Sequence, residues 1–247
     1  MSYVPTVIIP CLNEEKYVGR VLGDLARQSV KPAAVFVVDC HSTDKTVDEA
    51  KKFAGKLPLK VYQSPYRSAA AARNTGATHA RSDYLLFLDA DVRLRPEFIE
   101  RLAEKAEQGG AEFISPKFRW EGHHPVDAFY VWCENVRIRR YYMGLRRRPM
   151  GLGGGLYIKK SRHDDVGGYA DKMREFDDVN YCKRLGEAGV HYAYAPQVTV
   201  VISSRRFAKQ GRFKTMLQLV PTDTWAGRHL VRPVMKRLGI PGKWDEL

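Results

Sequence analysis

Strand-sized apolar runs alternate with helix-forming segments over the first 115 residues, and this alternation constrains the fold more than any other feature. In Glu15–Gln28, for example, Val18, Val21 and Leu22 share one helical face. The predicted strands are Val4–Pro10, Ala34–Asp39, Leu59–Tyr62, Tyr84–Leu88 and Glu112–Ser115, and the predicted helices are Glu15–Gln28, about Ser42–Ala54, Ser68–His79 and Pro96–Gln108. We therefore predict an α/β fold with a doubly wound, mostly parallel sheet.

The second half of the sequence is less regular. It predicts a helix over Val126–Arg140, a glycine-rich loop entering a strand over Gly151–Lys160, and a helix with a glycine stop over Phe176–Gly189. His191–Tyr194 and Val198–Ser203 are predicted as two short strands. Because no internal repeat or low-complexity linker interrupts the chain, we predict one domain over residues 1–203 and a basic, amphipathic helical extension over 204–247.

Charge is the one compositional outlier. Lys and Arg number 41 against 28 Asp and Glu, which gives a net charge of +13. One cluster of arginines lies between Arg137 and Arg148, and another basic stretch runs from Arg205 to Lys243. Such a surplus favours phosphorylated substrates, nucleic acid or an anionic membrane surface as partners. A solvated basic face that only aids solubility is an equal alternative.

Cysteine spacing and apolar run length indicate the compartment. The four cysteines, Cys11, Cys40, Cys133 and Cys182, show no paired spacing typical of zinc sites or disulfide frameworks, so we expect reduced thiols. We find no secretion leader, and the apolar runs are far shorter than the ~20 residues of a membrane helix. We expect a cytoplasmic protein, peripheral to the membrane at most.

Two carboxylates follow the apolar run Tyr84–Leu88 directly. Asp89 and Asp91 stand two positions apart, so both can face one side of a strand end. Ligands of open α/β sheets bind beyond the carboxyl ends of the strands. Two hard oxygen ligands with positions left for phosphate oxygens suit Mg²⁺ or Mn²⁺. The alternative is an aspartate-rich turn that caps the next helix.

Several ordered segments resemble one family. They are VIIPCLNEE (7–15), VVDCHSTDKT (37–46), AARNTGA (71–77), FLDADV (87–92), GGGLYIKK (153–160), VGGY (166–169) and FDDVNYCKRL (176–185). Together they resemble the family-2 glycosyltransferases of GT-A fold, which include dolichyl-phosphate mannose synthases. The resemblance covers roughly residues 4–205 and implies a nucleotide-sugar donor held by residues 1–115, with the acceptor side over 116–203.

The resemblance also implies roles for particular residues. Pro10, Leu12, Glu14 and Asp39 match positions that contact the base and ribose, and Arg73 lies in the segment that closes over the nucleotide. Asp89 and Asp91 match the metal motif that grips the donor diphosphate, so that Asp89 also belongs to the donor site. For Asp39 the alternative is a strand-end cap for the segment that starts at Ser42.

A second carboxylate pair, Asp177 and Asp178, matches the acidic motif of the family at the start of a late helix. Asp178 matches the general base of inverting transfer, and Asp177 would orient the helix or the acceptor; the alternative is that both only favour the positive end of a helix dipole. Gly153 and Gly154, with Arg205 and Arg206, are candidates for phosphate or acceptor contacts. For the two arginines, a solvated basic turn is an equal alternative.

The chain departs from the family pattern at the end of the second strand. Cys40 replaces the usual second aspartate and His41 the usual glycine, which leaves base selectivity open. No Gln-x-x-Arg-Trp segment follows, so processive polymerases are poor models.

The acceptor is the least constrained part of the interpretation. Arg205–Lys243 carries ten Lys or Arg against a single Asp, interleaved with apolar side chains, and a segment of this kind can lie in a membrane interface. We therefore expect a lipid-linked or membrane-surface acceptor. The alternative is that the segment packs as a core helix pair or a dimer contact, and the oligomeric state stays open.

The leading hypothesis is a metal-dependent inverting glycosyltransferase. Two other enzyme functions and one binding function compete with it. A glycosyltransferase acting on a soluble acceptor fits the same residues. A sugar-phosphate nucleotidyltransferase also binds a metal through carboxylates. It usually has a glycine-rich basic loop after the first strand, which PCLNEEKY does not resemble. A nucleic-acid binder would leave the aspartates at the sheet edge without a purpose, so we expect no nucleic-acid partner.

Overall fold

The computed structural model describes residues 3–121, 128–129, 132–133, 135–136, 138–139, 149–151, 153–170, 177–203, 205 and 232–237. The chain divides into two compact units. The first comprises Met1–Phe118 and Ile138–Ile202, and the second comprises Arg119–Arg137 and Ser203–Leu247. The predicted boundary near residue 204 stays a prediction.

The first unit is built on a sheet whose strands we number in chain order. They are β1 (Thr6–Cys11), β2 (Ala34–Asp39), β3 (Leu59–Gln63), β4 (Tyr84–Phe87), β5 (Arg93–Leu94), β6 (Phe113–Glu121), β7 (Leu156–Lys159) and β8 (Tyr192–Ser203), the last residues of β6 and β8 belonging to the second unit. The helices are α1 (Val18–Ala26), α2 (Thr46–Lys51), α3 (Ala69–His79), α4 (Phe98–Gly109), α5 (Lys160–Asp165), α6 (Asp177–Glu187) and, in the second unit, α7 (Arg232–Arg237).

The strand order is β3-β2-β1-β4-β7-β6-β8-β5. The pairs β2–β3, β1–β2 and β1–β4 are parallel, as the alternation in the sequence predicts. Strand β7 runs antiparallel to both β4 and β6, and β5 runs antiparallel to β8. The α/β class is therefore confirmed, but the sheet is mixed. Strands β3, β2, β1 and β4 form its parallel half, and the antiparallel pairs involve the strands that follow.

Helices cover both faces of the parallel half. Alternate side chains of β1 point to opposite faces, so Val7 and Ile9 join one core cluster and Ile8 joins the other. Helices α1, α2 and α4 contribute to the first cluster, whereas α3 and α6 contribute to the second. Each fully buried aliphatic side chain stabilises the fold by about 1.5–3 kcal/mol relative to an exposed one. The doubly wound arrangement follows from this two-sided burial.

Helix α3 lies very close to β1 because Gly76 has no side chain. A Cβ at this position would stand 2.4 Å from Cγ2 of Ile8, well inside van der Waals contact. The helix starts at Ser68, whose hydroxyl accepts a hydrogen bond from the backbone N–H of Ala71. The close approach brings the first turns of α3 to the edge of the sheet where the parallel strands end.

Several predicted elements differ from the structure in their bounds or number, chiefly in the second half of the chain. The strand predicted over Glu112–Ser115 is β6, which runs to Glu121 and pairs antiparallel with β7. The two strands predicted over His191–Tyr194 and Val198–Ser203 form the single strand β8, and Pro196 between them is accommodated. The described residues within the predicted helix Val126–Arg140 are helical.

Within the described residues, no helix is long and apolar enough to cross a membrane.

Candidate active site

The loops after β1 and β2 meet at the carboxyl edge of the parallel strands and are joined by hydrogen bonds. Asn13, in a left-handed conformation with φ of 57°, accepts a hydrogen bond from the Thr43 N–H at 2.8 Å and donates its own N–H to the Ser42 hydroxyl at 3.0 Å. The Glu14 N–H donates to the Thr46 hydroxyl at 2.7 Å. The predicted nucleotide residues Leu12 and Glu14 therefore stand on a braced double loop.

The four predicted nucleotide contacts differ in exposure. Pro10 is buried in β1 beside Val38, and Leu12 follows with 38% of its surface exposed. The carbonyl oxygen of Glu14 accepts hydrogen bonds at the start of α1, while its side chain is partly exposed. Asp39 is buried, and both its carboxylate oxygens lie 3.2 Å from the Ser42 nitrogen, whose N–H they accept. The capping alternative for Asp39 is thus observed, and its contact with a nucleotide stays a prediction.

Arg73 of α3 brings the two distant carboxylate motifs together. The Arg73 side chain is only 5% exposed. Its Nη2 lies 3.1 Å from Oδ1 of Asp89, and its Nη1 lies 3.7 Å from Oδ1 of Asp178. The side chain of Asp89 is 37% exposed and that of Asp178 is 21% exposed. A buried guanidinium needs charged partners, and here it finds one in each motif. The structure therefore places Asp89, Asp178 and Arg73 in one site.

The ring of Tyr169 supports this guanidinium, and sequence reasoning assigned no role to it. The Arg73 Cζ lies 5.1 Å from the ring centroid, within the range of a cation–π interaction. The opposite neighbour of the ring is Tyr181 of α6, with centroids 4.0 Å apart and nearly parallel planes. Both rings are buried, so they shield this face of the Arg73 guanidinium from water.

Two polar side chains hold the loop that carries Tyr169. Asn74, the neighbour of Arg73 in α3, donates to the Tyr169 carbonyl and accepts from the Tyr169 N–H, both at 2.8 Å. Arg184 of α6 donates to the carbonyl oxygens of Val166 and Gly168. The AARNTGA and VGGY segments of the sequence thus meet in space. The presence of both segments in one sequence indicated the family, but it did not predict that Asn74 would bond to the backbone of Tyr169.

His163 lies beneath the same aromatic layer. Its Nδ1 lies 2.8 Å from the hydroxyl of Tyr181, and burial lowers its pKa from the usual 6.5 to about 4. Burial likewise raises the pKa of Tyr181 well above its ordinary value. Both groups stay neutral at pH 7, so this layer is a support for the site and adds no charge to it.

The glycine-rich segment approaches the first carboxylate motif. Gly153–Gly155 form one turn of 3₁₀ helix that leads into β7, and β7 pairs with β4, which ends beside Asp89. A Cβ on Gly154 would stand 3.3 Å from Oδ2 of Asp89. Gly154 therefore leaves space beside this carboxylate that any other residue would fill.

The residues at this edge fit a divalent cation. Asp89 and the partly exposed Asp91 supply carboxylate oxygens, the ligand type that Mg²⁺ and Mn²⁺ prefer, and Gly154 leaves room for further oxygen ligands. Within the described residues there is no group of three or more His, Cys, Asp or Glu that could hold a metal by itself. Any cation here would need oxygens from a bound diphosphate or from water to complete its shell.

The remaining predicted site residues are placed less fully. Asp177 and Asp178 begin α6, as predicted, although the side chain of Asp177 lies outside the described part. Arg205 belongs to the second unit, where its N–H donates to the Ser203 hydroxyl at 3.3 Å. Arg206 lies outside the described residues. Their predicted contacts with phosphate or acceptor stay predictions.

The cysteines are free thiols, as the sequence predicts. Burial, reinforced by the charge of Asp39, raises the pKa of Cys40 to about 11, and burial raises that of Cys11 well above its ordinary value. Neither thiol forms a thiolate near pH 7, which argues against a nucleophilic role at this edge.

Comparison with known proteins is consistent with this fold and site. Residues 6–170 match the model of "Glycosyl transferase family 2", and the chain therefore belongs to that family. It is 27% identical over 208 residues to the succinoglycan biosynthesis protein ExoA of Rhizobium meliloti, covering 81% of this chain and 63% of that protein. It is 28% identical over 212 residues to the pre-mycofactocin glycosyltransferase of Mycobacterium tuberculosis, covering 81% of this chain and 43% of that protein. The chain thus spans about half to two thirds of the length of these relatives.

Solved structures share the GT-A fold. The S. aureus TarS fragment 1-349 in complex with UDP-GlcNAc superposes with a TM-score of 0.68 and 20% identity, covering 87% of this chain and 65% of that one. The mannosyltransferase PcManGT of Pyrobaculum calidifontis, in complex with GDP-Man and Mn²⁺, gives a TM-score of 0.67 and 22% identity, covering 87% and 61%. At these identities the likeness establishes the fold alone.

Proposed function

We propose that this chain is a metal-dependent, inverting glycosyltransferase that moves a sugar from a UDP- or GDP-sugar to an acceptor hydroxyl or phosphate, with a lipid-linked acceptor at a membrane surface. Residues 1–115 would form the donor-binding half, residues 116–203 the acceptor half, and residues 204–247 a basic extension. Family membership and the nucleotide-sugar complexes of proteins with the same fold support this proposal.

One observation carries the proposal: a single guanidinium, that of Arg73, contacts both carboxylate motifs. Inverting transfer needs two charged functions close together, one for the departing diphosphate and one for the attacking hydroxyl. Arg73 lies between Asp89, which would face the diphosphate, and Asp178, which would face the acceptor hydroxyl. Neither a nucleic-acid binder nor a surface loop requires such a pair around a buried cation.

The chemistry divides between these residues. Asp178 would accept the proton of the acceptor hydroxyl as its oxygen attacks the anomeric carbon, which makes Asp178 the general base. Asp89 and Asp91 would hold Mg²⁺ or Mn²⁺, and such a cation neutralises charge that develops on the leaving diphosphate. Arg73 would keep the Asp178 carboxylate oriented beside the donor. Asp177, Gly153 and Gly154 would line the acceptor and phosphate side.

The donor nucleotide would lie over the braced loops after β1 and β2. Pro10, Leu12 and Glu14 would line its base and ribose, and Asp39 would accept a hydrogen bond from the ribose or the base. The bonds between Asn13, Ser42 and Thr43 hold this surface in shape before any ligand arrives, which reduces the ordering cost of binding.

The test of the transferase mechanism is Asp178→Asn. An amide keeps the shape of the carboxylate but cannot accept a proton, so donor binding should persist while transfer slows at least ~10²-fold. Donor binding is measured by calorimetry with UDP- and GDP-sugars, and product configuration by NMR. A product with retained anomeric configuration would refute the inverting mechanism whatever the rate of the variant.

The test of the lipid acceptor is flotation with liposomes. The full chain should bind anionic vesicles at low salt and release as ionic strength rises, because each basic residue near such a surface contributes about 1 kcal/mol and salt screens it. Neutral phosphatidylcholine vesicles are the control. A chain that ignores anionic vesicles and glycosylates a soluble sugar efficiently would favour the soluble-acceptor alternative. The family assignment favours both alternatives over a nucleotidyltransferase.

A further inference from the structure

His41 adopts a backbone conformation that its side chain disfavours. Its φ is +64°, in the left-handed region that glycine enters freely and that a branched or bulky side chain enters only at a cost. Asn13, the other residue of this kind, is of a type that often adopts the conformation, and its side chain braces the neighbouring loop. Histidine enters this region more often than most residues other than glycine, but the conformation is still uncommon, so the position invites a functional explanation.

The imidazole of His41 is exposed at the carboxyl end of β2 and pairs with the next strand. Its Nδ1 lies 3.3 Å from Nε2 of Gln63, the last residue of β3, whose side chain is also exposed. In the sheet register Gln63 lies opposite Asp39. The His41–Gln63 pair therefore stands beside the buried carboxylate at the edge where the nucleotide is proposed to bind.

An exposed aromatic ring follows the same strand. Tyr66 is 60% exposed, and its N–H donates to the hydroxyl of the buried Ser64 at 3.4 Å. The Ser64 N–H in turn donates to the Asp39 carbonyl oxygen at 2.8 Å. Leu12, also exposed, follows β1. Three neighbouring strand ends thus present a leucine, a histidine–glutamine pair and a tyrosine to solvent at a single sheet edge.

The hydrogen-bonding capacity of the pair suits a nucleobase. When the Gln63 amide nitrogen donates to Nδ1 of His41, the ring proton lies on Nε2. The pair presents an N–H donor from His41 and a carbonyl acceptor from Gln63. Every nucleobase edge carries a complementary acceptor and donor, whereas a bare diphosphate offers acceptors alone.

We propose that His41, oriented by Gln63, contacts the base of the donor nucleotide, and that the strain at residue 41 persists because of this contact. The inference rests on the proposed function, which supplies the nucleotide. His41 is then a residue that determines base specificity.

The variant His41→Gly tests the backbone strain at residue 41 and the contact with the base in separate measurements. Glycine relieves the strained φ, so the variant should melt at a higher temperature than the wild type. It also removes one neutral hydrogen bond to the base, which should weaken binding of UDP or GDP about 3- to 10-fold. Binding of inorganic diphosphate with Mg²⁺ should not change. Gln63→Ala should weaken the nucleotide similarly without raising the melting temperature.

The matched control is His191→Ala. His191 is exposed and its Nδ1 lies 3.0 Å from the Gly110 carbonyl oxygen, near the amino end of β4 and so away from the carboxyl edge, and its loss should leave nucleotide affinity unchanged. If the wild type binds none of UDP, GDP and dTDP, the proposed function fails and the inference fails with it. If the wild type binds one of them and His41→Gly binds it equally well, the base contact alone is wrong. Equal weakening toward inorganic diphosphate would also overturn the base contact.

Discussion

Replacing Arg73 by lysine tests whether one guanidinium joins the two carboxylate motifs. The two Nη atoms of Arg73 reach different carboxylates, those of Asp89 and Asp178. Lysine keeps the positive charge, but its single Nζ can approach only one of the two at a time. The variant thus isolates the bridging geometry from the charge.

The magnitude follows from the exposure of the partners. A hydrogen bond to a charged group is worth about 1.5–3 kcal/mol, and the loss is reduced to about 1–2 kcal/mol because Asp89 is 37% exposed and partly screened. In a domain of this size that corresponds to a fall of about 2–8 °C in melting temperature. Transfer should fall more steeply, since Asp178 would lose its orientation toward the acceptor.

The assay is thermal unfolding followed by donor binding and transfer rates. Arg101→Lys is the matched control, because Arg101 forms an exposed pair with Glu97 at 3.8 Å and such pairs contribute little. Tyr169→Phe should behave like the wild type, since the ring under the guanidinium is retained, whereas Tyr169→Leu should behave like Arg73→Lys. An Arg73→Lys protein with unchanged melting temperature and unchanged transfer would show that the bridge has no energetic weight.

Two further predictions concern the metal motif and the buried histidine. Asp91→Asn should abolish Mg²⁺- or Mn²⁺-dependent donor binding and leave the melting temperature intact, because an amide cannot replace an anionic ligand; unchanged metal dependence in calorimetry would contradict the assignment. His163 has a folded-state pKa of about 4, below its unfolded value, so its contribution to stability is complete above pH 6.5 and is lost as pH falls toward 4. The free energy of unfolding in urea should therefore drop by about 2 kcal/mol more between pH 7 and pH 5 for the wild type than for His163→Asn, and parallel pH profiles would refute the buried neutral ring.

The parallel half of the fold could be predicted from the sequence because each strand there is a short apolar run with its own boundary signal. Ala34–Asp39 is a strand with the predicted bounds, and the helix predicted over Ser68–His79 is α3 with Ser68 at its N-cap. The direction of pairing in the second half was not predictable in this way. The residues of β6 read as a strand, but the antiparallel partner β7 is far along the chain, and strand sequence alone does not encode the direction of a distant partner.

Local capping signals also gave way to long-range contacts. The sequence predicts that the second helix begins at about Ser42. In the structure Ser42 and Thr43 bond to Asn13 of the preceding loop, and α2 begins only at Thr46. The reason is that the same polar groups can satisfy either their own helix or a neighbouring loop. Which of these contacts forms depends on the position of β1, which the local sequence does not contain.

The site shows the same limit. The carboxylates of Asp89 and Asp178 could be selected from the sequence as polar groups at element ends, and their resemblance to a family motif gave them roles. Their meeting at Arg73 depends on the close packing of α3 on β1 at Gly76, which is a tertiary property. Tyr169 was not predictable as a site residue, because a tyrosine after two glycines is compatible with ordinary core packing.

Asp39 has two interpretations, a cap for the loop at Ser42 and a contact for the nucleotide, and the two are compatible. A carboxylate has about four lone-pair sites, and the Ser42 N–H occupies one direction shared by both oxygens. In the proposed complex, the remaining sites would accept a hydrogen bond from a ribose hydroxyl or a base N–H at the sheet edge. The bond that caps the loop also fixes the plane of the carboxylate, and this fixed orientation lowers the entropy lost when a nucleotide binds. Capping is therefore a precondition of the proposed binding role of Asp39, and a variant that loses the Ser42 N–H contact should lose nucleotide affinity even with Asp39 in place.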